Sequence, residues 1–436
     1  MPQHLNTMAT QLASRSIASS ICLRCERRAG VQLGSLCSSP RRKSRPSKWP
    51  STTSRQYATD APKLSHVVLT GRTLISLDGP DAADFLHNLI PAPVLPLEET
   101  SSCIATAFLN AKGRILHDAF LHKPSKENAQ QWYLEVDTNS ASAVLKHLKK
   151  HKLRSKFKLQ QLSPEEGTVF YLWPGSSKLG DVKDVEIQQD PRASMGSRGY
   201  LVGQDALQSL RQRFAAVSSK EEHHWEEYLI HRMLNGHAEG PVEIASEHAL
   251  PQESNLDFYG GIDFHKGCYL GQELTIRTHH TGVVRKRILP VQLYTHDNPL
   301  PKDQTTPLYD PTAVFPQPPN EANISKCGAR GRSGRSTGKW LSGYGNIGLA
   351  LCRLETMTDL SLTAEGSAFD PETDEFEVSW QDGETKEDRK VKVKAFVPPW
   401  LRQNIEESIK SRSERSQARR RKDLEEEEEE EEEDID

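Results

Sequence analysis

Long apolar runs are missing from this 436-residue chain. No stretch reaches about 18 consecutive apolar residues, so no membrane-spanning helix is expected. Apolar residues make up 35% and aromatics 7% of the sequence, low values because two polar ends dilute the middle. The body also lacks an excess of either charge. Residues 1–57 hold ten Lys or Arg against a single acid, Glu26, and residues 423–436 hold twelve acids and no base. With a total of −4, residues 58–422 are left at −1. A body without basic excess argues against nucleic acid as the main partner. No short fixed-period repeat is present, which excludes a solenoid. At roughly 150 residues per domain, the body has room for two or three.

The two ends are what is there in strength. Residues 1–57 are rich in Arg, Ser and Ala and nearly free of acids, the composition of a mitochondrial transit peptide. The stretch Arg55-Gln56-Tyr57-Ala58 fits cleavage near Ala58. Cys22 and Cys25 form a CxxC inside the part expected to be removed and receive no role. At the other end, 401–436 is charged, and 425–433 is nine consecutive Glu. Like-charge blocks repel themselves, so a disordered tail is expected.

Between the ends, patterning suggests an α+β fold. Strands are expected at 67–69 and 73–77, and a helix opens after Pro80. There Ala82, Phe85, Leu86, Leu89 and Ile90 form one apolar stripe. Strands at 103–109, 114–121 and 132–136, a helix at 140–151 and a strand at 156–162 complete a first portion, 64–165. A second portion, 166–287, has strands at 168–173 and 200–202 and helices at 205–214 and 221–235, with Gly236 as the stop. From 288 to 400 the helical pattern vanishes, and strands at 290–294, 348–354, 376–380 and 390–397 suggest a small β-barrel. Within it, 310–339 is rich in Pro, Gly, Ser and Arg and is expected to be a disordered insertion.

The densest signal is Lys266-Gly267-Cys268-Tyr269-Leu270-Gly271-Gln272-Glu273. A cation beside a thiol favours the thiolate, so Lys266 or His265 would activate Cys268. Gly267 and Gly271 permit close backbone approach or positive φ. A lone Cys is generically more often a buried structural residue, but charged neighbours shift the balance toward a reactive or ligating one.

This octapeptide resembles the signature of the YgfZ family, folate-fold proteins related to the T-protein of glycine cleavage. The segments 72–79 with Asp81, Ala82, Phe85 and Leu86, 109–114, 148–157 and 348–351 are similar to other parts of the family, so the match spans roughly 65–300 and 338–397. The resemblance implies a folate-binding T-protein-like fold: two related α+β portions and a C-terminal barrel around a central cavity. It implies a tetrahydrofolate-like ligand, with Asn110, Lys112, Arg114, Tyr269, Gln272 and Glu273 as candidate contacts. Its mitochondrial members act late in assembly of iron–sulfur clusters, which implies the mitochondrial matrix and A-type iron–sulfur carriers as partners. Cys268 is then a thiolate or a cluster ligand shared with a partner, with Lys266 and Asp118 as further catalytic candidates. Cys268 and Gln272 move the chain away from the T-protein pattern. So do His117-Asp118 in place of that protein's Asp-Asp pair and Leu234 in place of its pterin-binding Glu. Aminomethyl transfer needs such carboxylates for charge stabilisation or acid–base work. A folate-dependent aminomethyl or one-carbon transferase is therefore the alternative reading.

Beyond residue 57 the thiols are Cys103, Cys268, Cys327 and Cys352, none in a CxxC. A cluster held wholly by this chain needs about four ligands, so a shared and transient one is expected. His279 and His280 are expected at a strand edge, on opposite faces and unable to ligate one metal. Arg277, Arg285, Lys286 and Arg287 form a basic rim suited to an anionic ligand tail or an acidic partner.

Overall fold

The computed structural model describes residues 66–95, 103–122, 128–173, 185–217, 223–328, 336–362, 366–383 and 385–433. The expected transit peptide, 1–57, lies outside these, as do 329–335 of the expected insertion. In chain order the elements begin β1 (His66–Val68), β2 (Arg72–Asp78), α1 (Ala82–Leu89), β3 (Ile104–Leu109), β4 (Ile115–His122), β5 (Gln131–Asp137), α2 (Ala141–Lys152) and β6 (Lys158–Gln161). They continue with β7 (Gly167–Leu172), β8 (Glu186–Gln189), β9 (Ser197–Val202), α3 (Ala206–Val217), α4 (Trp225–Leu234), α5 (Gly240–Glu243) and α6 (Gln272–Thr281). The C-terminal part is β10 (Lys286–Tyr294), β11 (Asn323–Lys326), β12 (Gly338–Tyr344), β13 (Ile347–Arg353), α7 (Leu354–Met357), β14 (Phe376–Gln381), β15 (Asp388–Ala395) and α8 (Pro399–Glu433).

Two antiparallel sheets and a barrel result. The first portion is a five-stranded sheet in the order β3-β4-β5-β2-β6, and the second is a four-stranded sheet in the order β1-β7-β9-β8. The exchange of β1 into the second sheet, where it pairs with β7, ties the two portions together. The barrel closes in the order β10-β13-β12-β11-β14-β15. The stripe expected on the first helix is present: Ala82, Leu86 and Leu89 of α1 are buried against the five-stranded sheet, together with Val144 and Leu148 of α2. Each fully buried Leu contributes about 1.5–3 kcal/mol relative to exposure.

Strand alternation gives β4 and β5 two unlike faces. Ala119, Leu121, Leu134 and Val136 point into the apolar layer under the helices. Asp118, His122 and Glu135, one residue out of phase, point the other way and are buried.

Three expectations need correction. The insertion expected to be disordered at 310–339 contributes β11 and the start of β12 to the barrel. Only Ile324 of β11 is buried and apolar, so its sequence carries no alternation. The strand exists because barrel closure supplies partners on both sides, at β12 and β14. The tail expected to be disordered from 401 is helical through Glu433. Trp400, Leu401 and Ile405 dock its first turns on the core. A docked turn removes the nucleation cost, and Lys, Arg, Gln and Glu propagate helix well. Finally, His279 and His280 lie on α6, not on a strand edge.

Candidate functional site: the signature loop and its supports

The octapeptide forms a loop that ends in α6. Gly271 precedes the helix with φ 81°, the left-handed region that favours glycine. Its position also demands glycine for space, since a Cβ there would lie 2.4 Å from the Asn110 carbonyl oxygen. Gly113 is the reciprocal partner: φ is 75° and a Cβ would lie 2.9 Å from the Gly271 carbonyl oxygen. The two loops singled out by resemblance, 110–114 and 266–273, are thus pressed together backbone to backbone through one glycine from each.

Both loops are internally braced. Asn110 Oδ1 accepts hydrogen bonds from the Lys112 and Arg114 backbone N–H groups at 2.9 and 3.0 Å. Arg114 Nη1 donates to the His248 carbonyl at 2.6 Å. Gln272 Oε1 accepts from the Tyr269 N–H at 3.1 Å. Tyr269 is buried, and burial pushes its phenol up to about 12. Lys112 and Glu273 are exposed.

Lys266 has a different role from the one its position suggests. Its ammonium donates to the carbonyls of His87, Ile90 and Ala92, the latter two at 2.9 Å. The last carbonyls of a helix lack internal partners and favour a cation. Lys266 therefore bolts the signature loop to the end of α1, and burial lowers its pKa to about 8. Cys268 itself is exposed. Cys103 and Cys352 are buried, and burial raises both thiols well above their ordinary range. Cys327 is half-buried and raised to about 11 by burial, with Glu377 and Glu375 adding to it. Among the described residues, Cys268 is the exposed thiol. Also among them, no group of three or more His, Cys, Asp or Glu is placed to hold a metal ion.

Asp118 does not reach this loop. It belongs to a buried ion network where the two sheets, α4, α5 and the barrel meet. Arg72 Nη1 donates to Asp118 Oδ2 at 2.9 Å and its Nε to Glu135 Oε1 at 2.9 Å. Asp118 Oδ1 accepts from the Gly240 N–H at 3.1 Å. Arg198 donates through Nη2 to Glu135 Oε1 at 2.7 Å, and its Nη1 lies 3.2 and 3.1 Å from Asp190 and Glu239. Arg192 pairs with Asp190 and with Glu239, each at 2.7 Å, and Tyr228 donates to Glu239. Arg232 pairs with Glu243, which also accepts from Ser342 Oγ of the barrel at 2.7 Å. Burial alone would raise Glu135. Arg198, the His122 hydrogen bond and Arg72 outweigh it and hold the carboxyl far below its ordinary value. Glu239 is held low in the same way, against burial, by Arg198 and Arg192.

Sequence reasoning missed this network because its members lie up to 171 positions apart, from Arg72 to Glu243. One signal was present: Glu135 interrupts the apolar centre of β5, residues 132–136, all of which is buried. Of the expected basic rim, Arg287 is internal. It forms a bidentate pair with Asp257 at 2.9 and 2.8 Å and stacks over Phe258.

The comparisons agree with this architecture. The profile of the CAF17 C-terminal beta-barrel domain matches residues 285–403. A Neosartorya fischeri protein named iron-sulfur cluster assembly factor IBA57 homolog, mitochondrial, is 47% identical over 377 residues, covering 79% of this chain and 83% of its own length. Proteins of the same name from Pyricularia oryzae and Neurospora crassa are 43% and 38% identical, covering 77% and 90% of this chain and 85% and 93% of their own. Among solved structures, aminomethyltransferase T of the Bartonella henselae glycine cleavage system superposes with a TM-score of 0.56 at 14% identity, over 78% of this chain and 86% of that one. That likeness shows the T-protein-like α+β fold.

Proposed function

The chain belongs to the family of the mitochondrial iron–sulfur cluster assembly factor IBA57 homologs, and from that premise we propose that Cys268 is its ligand to a cluster shared with an A-type carrier protein. The observation that carries the proposal is the exposed thiol on a rigidly held loop. A thiolate is the ligating form of cysteine. A cluster normally takes about four ligands, and among the described residues no group of three or more His, Cys, Asp or Glu is placed to hold a metal, so the partner supplies most of the ligands. The chain's part is to present one sulfur in a fixed place. Gly113 and Gly271 lock the loop to its neighbour, and Lys266 locks it to α1. The cluster is cargo, delivered in the mitochondrial matrix to proteins that use 4Fe–4S clusters.

Tetrahydrofolate fits the residues present only in part. Asn110 and Gln272 are spent on backbone hydrogen bonds within the loops, Arg114 on the His248 carbonyl, and Tyr269 is buried. Asp118, the carboxylate left from the transferase pattern, is held by Arg72 and the Gly240 N–H. Lys112 and Glu273 remain exposed. No step is assigned to folate. Saturable calorimetric binding of tetrahydrofolate, lost in Lys112→Ala, would bring it back and with it the transferase alternative.

The test of the main proposal is an anaerobic mixture with a cluster-loaded A-type carrier, followed by visible absorbance of the complex separated by size. Wild-type chain is expected to yield a coloured mixed complex and Cys268→Ser a colourless one. Equal colour in both would remove Cys268 from the mechanism.

A further inference from the structure

A second feature lies between α6, the first turns of α8 and the barrel. It is a cleft of about 50 Å3, with Asp257, Thr278, His279, Arg287, Ile409 and Arg412 among its walls. Cluster chemistry at Cys268 makes no use of it. Its charge is one-sided. Asp257 is neutralised, since each of its oxygens accepts from Arg287. Arg412 has no carboxylate partner among the described residues. Burial, and after it the neighbouring Arg415, lowers the Arg412 pKa.

Arg412 is brought there by the packing of α8. Leu401 and Ile405 are buried in the core, Ile409 packs partly against it, and Arg412 follows at the next helical step on the same stripe. The guanidinium is thus the last member of a docked face. The opposite wall is equally fixed. The His279 ring lies flat on Phe264, with centroids 3.7 Å apart and planes 15° apart, and the His280 ring is 5.2 Å from it. Burial, then His280 and Arg415, disfavour protonation of His279. A half-desolvated cation without a counter-ion, facing a neutral imidazole and a threonine hydroxyl, is a site that an anion would stabilise. The volume exceeds the ~10–15 Å3 of such space that a single water needs. That admits an oxoanion head group and leaves the rest of a ligand outside.

We propose that this cleft binds the oxoanion head of a small ligand, a phosphate or a carboxylate group, with Arg412 as its charge partner and Thr278 and His279 as its hydrogen-bonding walls. The site is independent of the cluster reading and stands or falls separately.

The experiment uses the full chain with 13C-labelled histidine rings. Inorganic phosphate and citrate are titrated in turn, each against sodium chloride at matched ionic strength, and the His279 resonance is followed. A saturable shift with phosphate, citrate or both, absent with chloride, is expected. Saturation with phosphate alone assigns a phosphate head, and with citrate alone a carboxylate head. Arg412→Gln is expected to weaken the binding about tenfold or more, which is about 1.4 kcal/mol. Arg412→Lys should retain most of it, and Cys268→Ser should bind as wild type. Shifts that never saturate, that follow ionic strength alone, or that keep the same affinity in Arg412→Gln would overturn the proposal.

Discussion

The buried ion network and the signature loop are opposite solutions to placing polar groups. In the network, Arg72, Arg192, Arg198 and Arg232 face Asp118, Glu135, Asp190, Glu239 and Glu243, and each charge is satisfied inside the protein. In the loop, the polar side chains Asn110, Lys266 and Gln272 satisfy backbone, and the sulfur is left facing solvent. Groups that neutralise one another have little left for a substrate. The T-protein-like architecture therefore keeps polar residues at its centre while the group available to a partner sits at the loop.

The sharpest way to break that contrast is to open the network. Glu135→Ala removes the shared partner of Arg72 and Arg198. Leaving buried charges unpaired costs about 3–5 kcal/mol, which a urea unfolding curve would read directly. A loss below about 1 kcal/mol would mean the network is solvated and not structural.

Acid sharpens the contrast next. Burial, then Arg192, lowers His237 to about 3 and His231 to about 4, from an ordinary 6.5. The unfolded chain therefore takes up protons near pH 6.5 that the folded chain refuses until about 4. Over that window the unfolded state binds more protons, so stability falls as pH drops from 6.5 toward 4. The slope should be up to ~1.4 kcal/mol per pH unit for each histidine. Urea midpoints at pH 7.5, 6 and 5 check the sign, and His237→Gln should flatten the slope.

On the loop side, Gly271→Ala forces a Cβ against the Asn110 carbonyl at positive φ. The expected cost is about 1–3 kcal/mol, together with a changed rate of iodoacetamide reaction at Cys268. An unchanged rate with lowered stability would separate loop geometry from thiol presentation. The smallest effect belongs to the charged end of α8. Truncation after Arg420 should move the unfolding free energy by no more than about 0.5 kcal/mol, because docking ends with the Leu401–Ile405–Ile409 stripe.

Much of the fold was legible because its elements carry local periodicity. The α1 stripe and the alternating β14 and β15 are set by their own residues. β8, β11 and β12 were not legible: Glu-Ile-Gln-Gln and Asn-Ile-Ser-Lys become strands only when a neighbour offers hydrogen bonds. The α6 segment, with Thr275, Ile276, Thr278 and Thr281, has a strand-like composition, and its helix depends on the Gly271 turn and on packing. The site was legible in its members and not in their tasks. Lys266 stands two residues from Cys268 in sequence, yet its ammonium is spent on the last turn of α1 and the residues just after it, contacts 174–179 positions away. Asp118 was singled out alone, although its meaning comes from Arg72.

On the proposed reading Cys268, and no other described thiol, joins this chain to a shared cluster. The most direct test compares Cys268→Ser with Cys327→Ser, the half-buried alternative, in the cluster absorbance of the isolated complex with an A-type carrier. Full absorbance is expected with Cys327→Ser and loss with Cys268→Ser. Loss in Cys327→Ser with retention in Cys268→Ser would contradict it.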